Sequence, residues 1–249
     1  MEAGRGIRVA YMPGLYKDEG IVLRTIKLGE ADRIVTLFTR GNGKVRAVAK
    51  GIRKTKSRFG GRLEPFTRAG LVIYRGRNLD TITQVDIITS FDEVRTDFDR
   101  FAAATALVDL VEKVTPDREQ ALNVYALLLA GLHALAHDKG GGVVPAFTVK
   151  LLSISGYHPQ LGGCAGCGER TVVAFSAGMG GAVCDGCGRE DRGAIALDPE
   201  MIGLMRTLLS SDFGVAADAT TLVRVTQALR GYAEFHLERP LRSLAFLSS

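Results

Sequence analysis

The chain has no tryptophan, 7 prolines, 4 cysteines and 7% aromatic residues in 249 positions. Four cysteines are too few for a disulfide scaffold. The 30 glycines and 7 prolines follow no period, which excludes a collagen-like rod. The longest uncharged apolar stretch, Gln120 to His137, falls short of the roughly 20 residues needed to cross a bilayer, and it holds Asn123 and two histidines. The first ten residues, MEAGRGIRVA, lack the apolar centre of a secretory signal, so a cytoplasmic protein without a membrane span is expected. What is present is an ordinary globular composition, 46% hydrophobic and 24% charged, in a chain long enough to bury one large core or two modest ones.

Arrangements that carry catalysis are equally scarce. His133 and His137 have the i, i+4 spacing of a helical metal pair, but Ala-Leu-Ala stands between them, without the glutamate base of a metalloprotease. Glu30 and Asp32 resemble paired carboxylates only in isolation, because they sit at a turn with no further acidic residues to hold Mg²⁺. Gly41-Asn42-Gly43-Lys44 lacks the upstream glycine and the Ser/Thr of a phosphate-binding loop and reads as a hairpin turn. No nucleophile stands with a base. The expectation is a non-enzymatic protein that works without ATP.

Charge is the first positive signal. The whole chain carries +5, yet residues 1–80 hold 18 Lys/Arg against 7 Asp/Glu, a net +11, leaving −6 for the rest. So polarised a chain suggests two units, one of them built to meet a polyanion. The local patterns agree. Residues 1–14 read as an N-terminal extension without ordered structure. From Gly20, five short runs rich in Val, Ile and Thr follow, at 20–28, 32–39, 44–50, 69–76 and 79–89, separated by turn residues. In the last run Thr81, Thr83, Val85 and Ile87 alternate with Ile82, Gln84 and Asp86. Five short strands in about 70 residues point to a small antiparallel barrel of the OB type, a fold that binds nucleic acid on its face and flanking loops.

At Ser90 the period becomes helical, and Ser90-Phe91-Asp92-Glu93 reads as a capping box, placing the domain boundary near residue 91. Phe98, Phe101, Thr105, Val108 and Val111 form a first apolar stripe, closed by Thr115-Pro116-Asp117. Further helices are expected to about His137, near 145–155, from Asp198-Pro199, and over 219–239. The fold class is therefore α+β. An all-β domain at 15–91 precedes a helical domain at 92–249, which carries a cysteine insert at 160–192.

All four cysteines lie in that insert, as Cys164-x2-Cys167, sixteen residues, then Cys184-x2-Cys187. Two such knuckles converge on one ion and complete the four-thiolate shell that zinc prefers. Two disulfides, a redox pair and an iron-sulfur cluster are the alternatives. The closed shell leaves no open position for catalysis, so zinc is expected as a structural brace.

Between Arg40 and Arg62 there are nine basic residues and no acidic one. Such density calls for a polyanion, with counterion release supplying affinity. Contacts to phosphate imply little sequence preference and a steep salt dependence. Phe59, Phe66 and Tyr74 could stack bases in or near this groove, but for each of them core packing is the favoured role. An RNA-associated basic OB protein is the alternative to a DNA-binding one.

Larger blocks carry a family likeness: DEGIVLRTIKLGEADRIVTLFT, GKVRAVAKGIRKTKSRFGGRLEPF and YRGRNLDTITQ, then GYHPQLGGCAGCG, GGAVCDGCG and RPLRSLAFL. Over residues 15–247 the chain resembles the bacterial RecO family of recombination mediators, and AVAKG-IR-x4-RF is the distinctive block. The resemblance implies an N-terminal OB fold, a helical domain with a zinc insert, and binding to single- and double-stranded DNA. It implies annealing of complementary strands coated with single-strand-binding protein, whose acidic C-terminal tail docks on the helical domain. It also implies partnership with RecR, and sometimes RecF, in loading RecA during gap and double-strand-break repair. Carried onto this sequence, the phosphate-neutralising candidates are Lys44, Arg46, Lys50, Arg53, Lys54, Lys56, Arg58 and Arg62, with Arg75 and Arg77 on a neighbouring turn. The metal candidates are Cys164, Cys167, Cys184 and Cys187.

Overall fold

The computed structural model describes residues 14–54, 57, 59–137 and 141–247. Lys56, Arg58 and the extension expected at the N-terminus, Gly14 excepted, lie outside them. The chain divides between Ser90 and Phe91 into two compact units, each with its own core.

The first unit is a closed five-stranded barrel of OB-like form. Its strands are β1 (Leu15–Leu28), β2 (Asp32–Thr39), β3 (Gly43–Ala49), β4 (Arg68–Tyr74) and β5 (Asp80–Thr89), in the order β1-β2-β3-β5-β4. All pairs are antiparallel except the closing β3–β5 contact, where Ala47 meets Asp80 and Val48 meets Thr81. Strand β1 begins five residues earlier than its apolar run. Leu15 to Glu19 are drawn into the sheet by pairing with Tyr74 back to Gly70, which local polarity at Lys17-Asp18-Glu19 had concealed. A shift between Val22 and Arg24 then bends β1 so that it serves two neighbours.

The expected alternation of β5 is wrong. Asp80, Ile82 and Val85 are buried, while Ile87 is exposed. The register slips between Val72 and Ile73 of β4, leaving Thr83 as the extra residue, and its Oγ1 donates to the Val72 carbonyl at 2.9 Å. One inserted residue reverses the face of everything after it.

The barrel interior holds Val22, Val35, Leu37, Ala47, Ala49, Ala69, Leu71, Ile73, Ile82 and Val85. Ile52, Phe59 and Leu63, from the segment joining β3 to β4, belong to the same cluster. That segment is thus a plug, fixed by burial at about 1.5–3 kcal/mol per large side chain.

The second unit contains α1 (Asp92–Thr96), α2 (Phe98–Val114), α3 (Leu122–Ala136), α4 (Val143–Ile154), α6 (Pro199–Ser210), α7 (Ala219–Leu237) and α8 (Arg242–Leu247). Between α4 and α6 come β6 (Ala174–Ser176), β7 (Gly181–Val183), α5 (Asp185–Glu190) and β8 (Ile195–Ala196). Helix α4, buried over Val143–Val149, packs against α2, α3, α6 and α7 and forms the centre. Asp97, Asp198 and Asp218 cap α2, α6 and α7 by accepting the amides of Arg100, Met201 and Thr221. The N-cap of α1 falls one residue later than Ser90, where the sequence placed it. Phe91 is the N-cap of α1 in the left-handed region, with no side-chain cap, and its buried ring meets His133 edge-on at 4.9 Å. The stripe read for α2 holds in part: Val108 and Val111 are buried with Ala104, Leu107 and Leu110, whereas Phe98 is 72% exposed and Phe101 is exposed too.

Candidate nucleic-acid interface and metal centre

Strand β3 alternates strictly. Gly43, Val45, Ala47 and Ala49 turn inward, and Lys44, Arg46 and Val48 turn outward. Lys50 continues beyond the strand and is exposed. Seven residues at about 3.3 Å each make this outer edge roughly 20 Å long. Its two ends differ in construction.

At one end, the β3–β4 segment is tied to the β1–β2 turn. Asp32 accepts the Gly51 amide at 2.7 Å, Ala31 carbonyl accepts the Arg53 amide at 3.0 Å, and Gly29 carbonyl accepts Arg53 Nη1 at 3.3 Å. Exposed Arg53 and Lys54 follow directly on the core residue Ile52, and Phe59 is a second core residue. Exposed Arg62 follows, with its amide donating to the Phe59 carbonyl at 3.0 Å.

Arg75 is anchored at another turn. Leu15 pairs with Tyr74, and Arg75 donates to Asn42 of the β2–β3 turn at 3.1 Å, at the end of β3 where Lys44 lies. The candidates therefore follow β3 from end to end. Two arginines outside the candidate set are engaged elsewhere: Arg68 pairs with Glu19 at 2.7 Å and Arg33 with Glu64 at 3.5 Å. Of the aromatic candidates, Phe59 and Phe66 are buried and structural. Tyr74 is 49% exposed on the outer face, in a row with Thr81 and Val48. Sequence reasoning missed Asp18, Asn42 and Asp32, whose role is to hold backbone and arginine in place. Asn42 lies within a recognised turn, but nothing local names its partners.

The cysteine segment forms a small module on β6, β7 and α5. Its four sulfurs lie within 4.8 Å of one another, with Cys167 and Cys184 at 3.7 Å. A disulfide needs about 2.05 Å. Four ligands at a metal–sulfur distance of about 2.3 Å stand about 3.8 Å apart along a tetrahedral edge, so the donor set fits one cation. The first knuckle closes by Gly168 amide to Cys164 carbonyl (2.9 Å) and Cys164 amide to Glu169 carbonyl (2.7 Å), with Gly168 in the left-handed region. The second closes by Gly188 amide to Cys184 carbonyl at 2.8 Å. A side chain at Gly166 would place its first carbon 3.0 Å from Cys187 Sγ, a tight contact that glycine avoids where the knuckles approach.

Backbone donation, from Cys184 first, holds the Cys164 thiol at about 6, while hydrogen bonding to the other cysteine sulfurs, Cys164 first, pushes the Cys187 thiol up to about 12. Four sulfurs this close are all thiolates only with a cation among them. His133 and His137 are stacked on each other with centroids 6.5 Å apart, and no other group of potential metal ligands is gathered among the described residues.

The comparisons with known proteins cover both units. The family model described as Recombination protein O N terminal matches residues 12–91, and Recombination protein O C terminal matches residues 95–245. The protein named DNA repair protein RecO from Nocardioides sp. is 42% identical over 243 residues, covering 94% of this chain and 99% of the relative. Its namesake from Streptomyces coelicolor is 42% identical over 246 residues, covering 94% and 98%. That from Thermobifida fusca is 43% identical over 239 residues, covering 92% and 97%. With both family models matched in order and relatives aligned along nearly their whole length, the chain belongs to the RecO family of recombination proteins.

Proposed function

We propose that this chain is a non-enzymatic DNA-binding recombination mediator. It anneals complementary single strands coated with single-strand-binding protein and, with RecR and in some settings RecF, assists RecA loading in gap and double-strand-break repair. Family membership and the relatives' printed role in DNA repair support the reading. The observation that carries it is the row of basic side chains along β3, continued by exposed Arg53 and Lys54 after the core residue Ile52.

In this reading Lys44, Arg46, Lys50, Arg53, Lys54, Lys56, Arg58, Arg62, Arg75 and Arg77 neutralise phosphates. A strand held by its backbone keeps its bases free to pair. Affinity then falls steeply with salt and depends little on sequence. Pairing of the two strands supplies the driving force, so ATP has no part. The tail of single-strand-binding protein docks on the helical unit and brings coated strands to the barrel.

Cys164, Cys167, Cys184 and Cys187 would hold zinc. Four thiolates fill its shell, so the ion supplies a brace for the module and no reactive position.

The test is annealing of two complementary oligonucleotides precoated with the cognate single-strand-binding protein, without ATP. Acceleration by this protein that disappears in high salt is the expected result. Binding to DNA without acceleration, in the presence of RecR as well as alone, would overturn the annealing role.

A further inference from the structure

We infer that Arg75 is a prepositioned phosphate-binding residue and that Asn42, backed by Asp18, is its positioning residue. The inference rests on the DNA-binding reading above and names the machinery at one end of the track.

Asn42 Nδ2 donates to Asp18 Oδ2 at 2.7 Å, and Asn42 Oδ1 accepts from Arg75 Nη2 at 3.1 Å. Chemistry sets this polarity. A carboxylate only accepts and a guanidinium only donates, so the amide between them has one orientation. Asp18 Oδ1 meanwhile takes the amides of Glu19 (2.8 Å) and Gly41 (2.9 Å), spending its charge on the turn rather than on Arg75.

The guanidinium carbon lies over the Tyr16 ring, 5.2 Å from its centroid. Tyr16 is itself held by donation to the buried Asp80 at 2.6 Å, whose second oxygen accepts the Gly76 amide at 3.0 Å. The Arg75 amide donates to Gly14 carbonyl at 2.7 Å. Contacts from β1, the β2–β3 turn and the β4–β5 turn thus fix one exposed arginine.

One of its five N–H groups is used by Asn42, and no carboxylate pairs with it among the described residues. The remaining fork is presented at the rim of the barrel with its rotamer freedom already lost. The side chains of Arg46, Lys50, Lys54 and Arg77 make no hydrogen bond or ion pair among the described residues, so they must order as they bind. Arg75 is therefore a site where a phosphate is taken with a defined geometry, and those four follow as a diffuse field.

The experiment titrates a fluorescent oligothymidylate with the full chain over a range of salt. It compares wild type, Arg75→Ala, Arg75→Lys, Asn42→Ala and the Asn42→Ala/Arg75→Ala double variant. Arg75→Ala is expected to weaken binding about fivefold and to reduce the slope of log affinity against log salt by roughly 0.7, the value of one single-strand phosphate. Asn42→Ala, which removes no charge, is expected to weaken binding about two- to threefold, and the double variant to bind no worse than Arg75→Ala alone.

Additive losses in the double variant overturn the positioning role. Arg75→Lys keeps the charge and the Asn42–Asp18 contact, so it tests the fork independently of any effect on the turn. Wild-type affinity in that variant overturns the inference. A wild type that binds no oligonucleotide sinks the DNA-binding reading itself, whereas a binding wild type with a silent Arg75→Ala sinks only the inference.

Discussion

The Asp32 carboxylate accepts the Gly51 amide at 2.7 Å, across the nineteen-residue interval that separates the start of β2 from the turn after β3. In the sequence Asp32 looks like half of a carboxylate pair with Glu30. In the fold it fastens the root of the basic segment to the β1–β2 turn.

Asp32→Ala separates two effects of opposite sign. Removing a negative charge beside a polyanion site favours binding by simple Coulomb reasoning. Releasing the Gly51 amide loosens the segment and disfavours it. The expected outcome is weaker DNA binding, by about two- to fivefold at moderate salt. Lys50→Ala/Lys54→Ala should instead lower both affinity and salt slope, the slope by about 0.7–0.9 for each phosphate no longer neutralised. Titrations at several salt concentrations check both, and tighter binding by Asp32→Ala would refute the anchoring role.

Tyr74 is the exposed aromatic on the outer face, and a stacked base is worth about 1–3 kcal/mol. Tyr74→Ala is expected to weaken single-strand binding by about tenfold and leave duplex binding little changed, while Tyr74→Phe retains wild-type affinity. Equal losses on single and double strands would mean that the ring packs against the protein and touches no base.

The cysteine module should bind one zinc per chain, measured by elemental analysis of protein purified without chelator. Stripping the metal, or Cys167→Ser, is expected to lower the melting temperature and expose 160–192 to protease, because the module's strands β6, β7 and β8 are only two or three residues long. Iron in the purified protein, or an unchanged melt after chelation, would exclude the zinc brace.

His236 is packed against Tyr157, Tyr232 and Phe235, with centroids 4.3–5.2 Å away, and its Nε2 is buried without a partner among the described residues. Burial pushes it below the ordinary 6.5. The unfolded chain therefore takes up a proton before the folded one, so stability is whole above about pH 6.5 and falls as pH drops below it. His236→Phe should shrink the difference in melting temperature between pH 7.5 and pH 5.5. An unchanged difference would assign the acid sensitivity to other groups.

By itself the sequence determined whatever depends on neighbours along the chain. The turn glycines, the runs of β-branched residues, the aspartate cap at Asp198 and the paired Cys-x2-Cys knuckles are short-range patterns with short-range causes. The asymmetry of charge is likewise a property of composition. Tertiary structure alone decided the rest. Leu15–Glu19 form a strand because β4 offers unpaired partners, Thr83 bulges because β4 and β5 must bend together, and Phe59 plugs the barrel because its interior needs filling. Register also brings Arg75 beside Asn42, thirty-three residues away in sequence. Closure of a sheet brings together residues distant in sequence and parts residues close in it, and only the three-dimensional path of the chain records which.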